Sequence, residues 1–145
     1  MGGVVNHLGQ VVTDLARSRR FYEDVLDFTY WREFEAPDGL TENLLRLPAP
    51  VGLKAVYLRN GAFVLELIAY DGVETNPYQK RVMNDPGLTH LSVSVDDIPA
   101  ALVKVAEYGG TVLEDTNVEL AVYVRDPDGQ LIELLTQGYR ESLPA

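Results

Sequence analysis

The chain has 145 residues, 22 of them acidic and 12 basic, for a formal charge of −10. A field of that sign repels nucleic acid and anionic membrane surfaces, so neither is an expected partner. The absence of cysteine excludes a disulfide framework, a thiolate zinc site and a thiol nucleophile. No apolar run reaches the length of a membrane span, and the N-terminus lacks a charged stretch followed by an apolar one, so a cytoplasmic location is expected. With 46% hydrophobic residues, the chain can fill one core, as one domain or two small modules.

Residues 4–12 read as a first strand. Asp14 then stands at a helix N-cap, and Leu15, Phe21, Tyr22, Val25 and Leu26 give residues 15–26 one apolar face. An aromatic strand is expected over 28–34, a loop at Ala36-Pro-Asp-Gly39, and a short strand over 43–47, interrupted by Pro48 to Gly52. Strands 53–59 and 62–70 meet at Asn60-Gly61, a strong hairpin signal. Residues 71–86 lack a clean period and read as a linker, with a helical turn at Tyr78–Met83. A second module follows: strand 88–95, a helix over 98–108 capped by Asp97 and stopped by Gly109-Gly110, then strands 111–114, 119–125 and 131–136. Asp126-Pro-Asp-Gly129 is the last turn, and the tail from Gly138 is polar.

The two modules repeat one plan: strand, helix, then about three strands. Module 1 covers about 4–70 and module 2 about 87–137, within a single domain over 1–145. His7 opens the first strand of one module and His90 that of the other. In both, an aspartate follows seven residues later (Asp14, Asp97), and a helix begins. The chain has only these two histidines. The modules also end alike, Val64-Leu-Glu-Leu67 matching Leu131-Ile-Glu-Leu134.

Glu66 and Glu133 therefore lie inside apolar strands with no obvious solvent face. A carboxylate buried alone costs several kcal/mol or loses its charge, so each needs a partner. The histidines occupy equivalent places and are the candidates. Two imidazoles and two carboxylates from four strands suit a divalent ion, and Zn, Ni, Co, Fe and Mn are all chemically reasonable. Taken singly, each residue is better explained as a hydrogen-bonded core histidine or an edge glutamate; their repetition favours a common site.

These segments, with Arg20-Phe-Tyr-Glu-Asp-Val-Leu-Asp-Phe28, Gly87-Leu-Thr-His90 and Val124-Arg-Asp-Pro-Asp-Gly-Gln-Leu-Ile-Glu-Leu134, resemble the vicinal oxygen chelate superfamily. That superfamily includes glyoxalase I, methylmalonyl-CoA epimerase, extradiol dioxygenases, and the fosfomycin and bleomycin resistance proteins. The resemblance covers about residues 5–137. It implies an α+β fold of two βαβββ modules forming a cupped mixed sheet, with one divalent ion held by His7, Glu66, His90 and Glu133. It also implies a metal-dependent lyase or isomerase acting on a small carbonyl compound through an enediolate-type intermediate, with Glu133 or Glu66 moving the proton.

Other readings stand beside it: an acyl-CoA epimerase, or a non-catalytic drug- or metabolite-binding protein. Bleomycin-binding relatives lack the metal ligands, and fosfomycin-type transferases generally keep three. A ring-cleaving dioxygenase ranks last, because Thr75 and Asn76 stand where its catalytic histidine belongs. Tyr123, ten residues before Glu133, matches the spacing of the dioxygenase tyrosine and could hydrogen-bond an oxygen at the metal. The arginine and asparagine with which bacterial glyoxalase I meets glutathione are replaced by Val11 and Tyr70, which puts that thiol in doubt. Tyr30, Trp31, Phe34, Tyr57 and Tyr123 are candidate walls of the substrate pocket, although ordinary packing accounts for any one of them. Small chains of this plan commonly pair, so a homodimer is expected.

Overall fold

The computed structural model describes residues 2–144. The chain resolves into two compact units, one containing the residues up to Arg19 with Asp27–Pro77, the other Arg20–Leu26 with Tyr78 onward.

In the first unit, β1 (Leu8–Val11), β2 (Thr29–Glu35), β3 (Leu53–Asn60) and β4 (Phe63–Tyr70) form a mixed sheet in the order β1-β4-β3-β2. β1 runs parallel to β4, and the β3–β4 pair is the antiparallel hairpin expected at Asn60-Gly61, with Gly61 at φ 57°. Alternation gives the sheet two different faces. Val56, Leu58, Leu65 and Leu67 are buried on one face, while Tyr57, Val64, Glu66, Ile68 and Tyr70 lie on the other. The expectation that Glu66 has no solvent face is thereby corrected. Its strand has a partly exposed face, and Glu66 is on it.

The expected strand over 43–47 is instead part of α2 (Asp38–Leu45), ended by Arg46 in the left-handed region at φ 56°. The reason is tertiary. Asp38 Oδ1 accepts hydrogen bonds from the N–H groups of Val51 and Gly52, which folds the proline-bracketed segment back on itself. Leu45 and Leu47 then pack against buried Val51, Leu53, Ala55 and Tyr57. Helix α1 (Leu15–Leu26) starts as expected, with Asp14 Oδ1 accepting from Arg17 N–H. The first strand is shorter than 4–12, beginning only at Leu8.

In the second unit, β5 (Leu91–Val95), α3 (Ile98–Glu107), β6 (Thr111–Val112), β7 (Ala121–Arg125) and β8 (Leu131–Thr136) repeat the plan, with sheet order β5-β8-β7-β6. Asp97 caps α3 through the Ala100 N–H, and Gly109 closes the helix at φ 84°. Gly110 must lack a side chain, since a Cβ there would lie 2.6 Å from the Arg125 carbonyl oxygen and 2.8 Å from the Phe21 ring. Buried Val122, Val124, Ile132 and Leu134 face the core, so Glu133 is again on the opposite, half-exposed face. β6 is shorter than expected and passes into a 3-10 turn at Glu114–Thr116, and the polar tail includes a second 3-10 segment, Gln137–Ser142, with no buried residue.

No helix forms at Tyr78–Met83. That stretch is held by side chains instead. The Tyr78 ring covers Gly129, Arg125 Nη1 donates to Tyr78 Oη at 3.1 Å, and the Arg81 guanidinium donates to the carbonyls of Asp85, Pro86 and Leu88.

Asp126, 3% exposed, organises the β7–β8 turn. Its Oδ1 accepts from the N–H groups of Asp128 and Gln130, and its Oδ2 from the Tyr22 hydroxyl at 3.0 Å. Burial raises its pKa above the usual 3.8, against the pull of these hydrogen bonds. A raised carboxyl pKa favours the fold below the unfolded value, and that contribution is lost as pH rises through the folded one. The Tyr22 hydroxyl offsets part of the loss, because it favours the ionised form. Tyr22→Phe is therefore expected to cost about 1.5–3 kcal/mol at pH 7 and distinctly less at pH 4, measured by denaturant unfolding. An equal cost at both values would show that the hydroxyl does not serve the ionised carboxylate.

Candidate metal and substrate site

In each unit the register brings the histidine, the glutamate and a tyrosine together. Cross-strand partners share a face. Tyr57 is the partner of Glu66 on the β3–β4 ladder, and Glu66 is the partner of Gly9 on β1, two residues after His7. In the second sheet, Tyr123 is the partner of Glu133, and Glu133 is the partner of Ser92, two residues after His90. The repeat thus includes the tyrosines. Their spacing to the glutamates, nine residues in one module and ten in the other, differs because the Asn60-Gly61 hairpin is tighter than the Asp126–Gly129 turn.

His7 Nε2 lies 3.0 Å from Glu66 Oε2, and the Tyr57 hydroxyl donates to Glu66 Oε1 at 2.6 Å. Both oxygens of this carboxylate, whose side chain is 13% exposed, are therefore engaged. The His7 ring meets the Tyr57 ring edge-on at 5.6 Å. His90 Nε2 lies 3.6 Å from Glu133 Oε2, which also accepts from the Ser92 hydroxyl at 2.8 Å. His90 meets Tyr123 edge-on at 5.4 Å. The Thr89 hydroxyl lies 2.8 Å from His90 Nδ1 and fixes the ring with Nε2 toward Glu133. Ser92 and Thr89 were not singled out from the sequence, although the i, i+2 position of Ser92 after His90 is a readable cue.

The Tyr57 hydroxyl has its pKa raised by burial and by Glu66, with Arg32 pulling it down. Tyr123 is raised by burial and by Glu133, and Tyr70 by burial and by Glu66. All three stay protonated donors at neutral pH, their ordinary value already being 10.0.

Two ligands about 2.1 Å from one ion stand about 3.0 Å apart at a right angle and about 3.4 Å apart at the tetrahedral angle. The His–Glu spacings of 3.0 and 3.6 Å fit adjacent places on a divalent ion. Each unit presents two donors. Among the described residues, no group of three or more His, Cys, Asp or Glu side chains is gathered in one place.

The expected aromatic walls divide. Tyr57 and Tyr123 stand beside the His–Glu pairs. Trp31 occupies an irregularity in the β2–β3 register, half-exposed, its ring edge-on to Tyr57 at 6.1 Å. Phe34 shares the Tyr57 face by register but lines a shallow cleft of about 200 Å³ with Leu15, Glu33, Glu35, Lys54, Ala55 and Val56. That cleft holds none of the four candidate ligands and is smaller than the usual ligand pocket of about 300–1,000 Å³. Tyr30 pairs with Leu58 and so lies on the opposite face, under the Arg19 guanidinium. Val11 and Tyr70 both lie on the Glu66 face, where the sequence comparison with glyoxalase I needs them.

Known proteins of similar sequence and shape agree with this architecture. The uncharacterized protein YaeR of Escherichia coli is 31% identical over 139 residues, covering 92% of this chain and 95% of its own. The trypanothione-dependent glyoxalase I of Leishmania major superposes with a TM-score of 0.69 at 24% identity, covering 94% of this chain and 88% of that one. The fosfomycin resistance protein FosX of Listeria monocytogenes, solved with Mn(II) and sulfate, superposes with a TM-score of 0.64 at 14% identity over 99% of this chain and 100% of its own. The profile of the Glyoxalase/Bleomycin resistance protein/Dioxygenase superfamily matches residues 4–134, and the chain belongs to that superfamily.

Proposed function

We propose that the chain is a cytoplasmic, homodimeric, divalent-metal-dependent lyase or isomerase acting on a small carbonyl compound. The observation that carries this reading is the matched pair of His–Glu contacts at equivalent register in the two sheets. His7, Glu66, His90 and Glu133 would hold the ion together, whether one chain supplies all four or two copies share them. Mn(II) in the FosX relative supports a first-row divalent ion. When bound, such an ion supplies Lewis acidity that polarises the substrate carbonyl.

The chain's own residues divide the remaining work unevenly. Glu66 is held at both oxygens and suits a fixed ligand. Glu133 has His90 and Ser92 at Oε2 and a hydrogen bond with Tyr123, and its side chain is more exposed, at 22%. It is the better placed to take a proton from the carbon beside the carbonyl and return it. Tyr123, beside it and protonated, would donate a hydrogen bond to the substrate oxygen. The same proton movement serves isomerisation and the epimerisation of an acyl-CoA, so the two readings share one machinery.

Metal analysis of protein purified without chelator tests the reading. About one divalent ion per chain is expected, and none in the His7→Ala/His90→Ala double variant. No metal in the wild type, even after reconstitution with Zn, Ni, Co, Fe or Mn, would leave a non-catalytic ligand-binding protein. In solvent-deuterium exchange on 2-oxoaldehyde–thiol adducts and acyl-CoA thioesters, Glu133→Gln is expected to lose about 10²–10⁴-fold in rate while retaining metal. A larger rate loss in Glu66→Gln with metal retained would reverse the two roles. Sedimentation at micromolar concentration should find a dimer, and a monomer would end that part of the proposal.

A further inference from the structure

The Tyr57–Glu66 row extends one strand further, to a cation. Arg32 on β2 is the cross-strand partner of Tyr57, as Tyr57 is of Glu66. All three side chains therefore share one sheet face. At about 4.8 Å per strand, the Arg32 and Glu66 backbones are about 10 Å apart. The Arg32 guanidinium lies 4.5 Å above the Tyr57 ring and 4.6 Å above the Trp31 ring. The two rings stand 86° apart, so the guanidinium can lie flat on one at most; it also hydrogen-bonds the Tyr57 hydroxyl, and its remaining N–H donors can meet an anion.

Three features show that this cation is placed rather than merely paired. No carboxylate lies within ion-pair distance of Arg32 among the described residues, in a chain with 22 acids and 12 bases. Its strand neighbours Glu33 and Glu35 alternate to the other face. Nor does the fold require it, because the equivalent place in the second module, beside Tyr123, is held by apolar Leu113. The two modules thus differ in charge at this place, which lies on the His7–Glu66 face.

We propose that Arg32 is the anion-recognising end of the substrate site, selecting carbonyl compounds that carry a carboxylate or phosphate group. A chain of charge −10 with two glutamates in the site would otherwise repel such molecules. Arg32 supplies the local attraction, and the aromatic pair holds its donors in position. This inference rests on the proposed carbonyl chemistry for the identity of the rest of the ligand, though not for the anion contact itself.

The test compares wild type, Arg32→Met and Arg32→Lys by calorimetry with paired probes: pyruvate against pyruvamide, and dihydroxyacetone phosphate against dihydroxyacetone. Metal content, thermal melting and sedimentation are measured on the same samples. The wild type should prefer at least one charged probe, which identifies the group as carboxylate or phosphate. Arg32→Met should weaken that probe tenfold or more and leave its neutral partner unchanged, with metal content, melting and oligomeric state as in wild type. Arg32→Lys should rescue only in part, because lysine cannot stack and present a planar set of donors. Equal affinity for charged and neutral probes, or an unchanged preference in Arg32→Met, would overturn the proposal. So would a variant whose defect is a changed oligomeric state, which would make Arg32 an interface residue. Loss of preference with metal retained concerns Arg32 alone, whereas absence of metal from the wild type would refute the proposed function and leave the anion comparison readable.

Discussion

A glutamate set among leucines on a sheet strand is stable only on the face where its carboxylate can be satisfied, and the site follows from that constraint. Leu65 and Leu67 must go to the core, so Glu66 must go the other way. The same holds for Ile132 and Leu134 around Glu133. Once the faces are assigned, ladder register decides what the carboxylate meets: the histidine ahead of the parallel strand on one side, a tyrosine from the antiparallel strand on the other. A one-residue slip in either ladder would send the glutamate into the core and the leucines into the site. Hairpin and turn chemistry at Asn60-Gly61 and around Asp126 is thus part of how the site is built.

Much of this was legible from the residues. The aspartate caps, the glycine stop after α3 and the Asn-Gly hairpin rest on local chemistry and appear where they were expected. The paired βαβββ plan was readable because the repeat states it twice. The helix over Asp38–Leu45 was not, because the stretch before the Pro48–Gly52 break is too short to show a helical period. The segment's conformation is decided by Asp38 bonding to backbone thirteen and fourteen residues away. The helical turn expected at Tyr78–Met83 is absent for a similar reason. Tyr78 and Arg81 tie the stretch down through contacts that composition does not reveal.

The site residues show the same division. Histidine and glutamate stand out because they are rare or ill-suited where they occur. The tyrosines were weaker signals, since aromatic residues belong in strands: Tyr123 stood out by its spacing to Glu133 and Tyr57 only as one candidate wall among several, and their matched places opposite the glutamates became clear with the register. Counting back from the hairpin at Asn60-Gly61 would have put Tyr57 opposite Glu66. For the second module the longer turn at Asp126 makes that count ambiguous. The two halves are alike in backbone and unlike in detail: Gly9 stands where Ser92 does, so Glu133 accepts a serine hydroxyl bond that has no counterpart at Glu66. Duplicated scaffolds allow this, because a side chain on the open face can change without disturbing the core.

The central claim is that the two His–Glu pairs serve one ion together. Nitrogen NMR of the two imidazoles during zinc titration tests it directly, since the chain has no other histidine. His7 and His90 should both shift and reach completion together at one equivalent of metal per chain. Shifts that complete separately, at one and two equivalents, or a shift confined to one ring, would contradict the account.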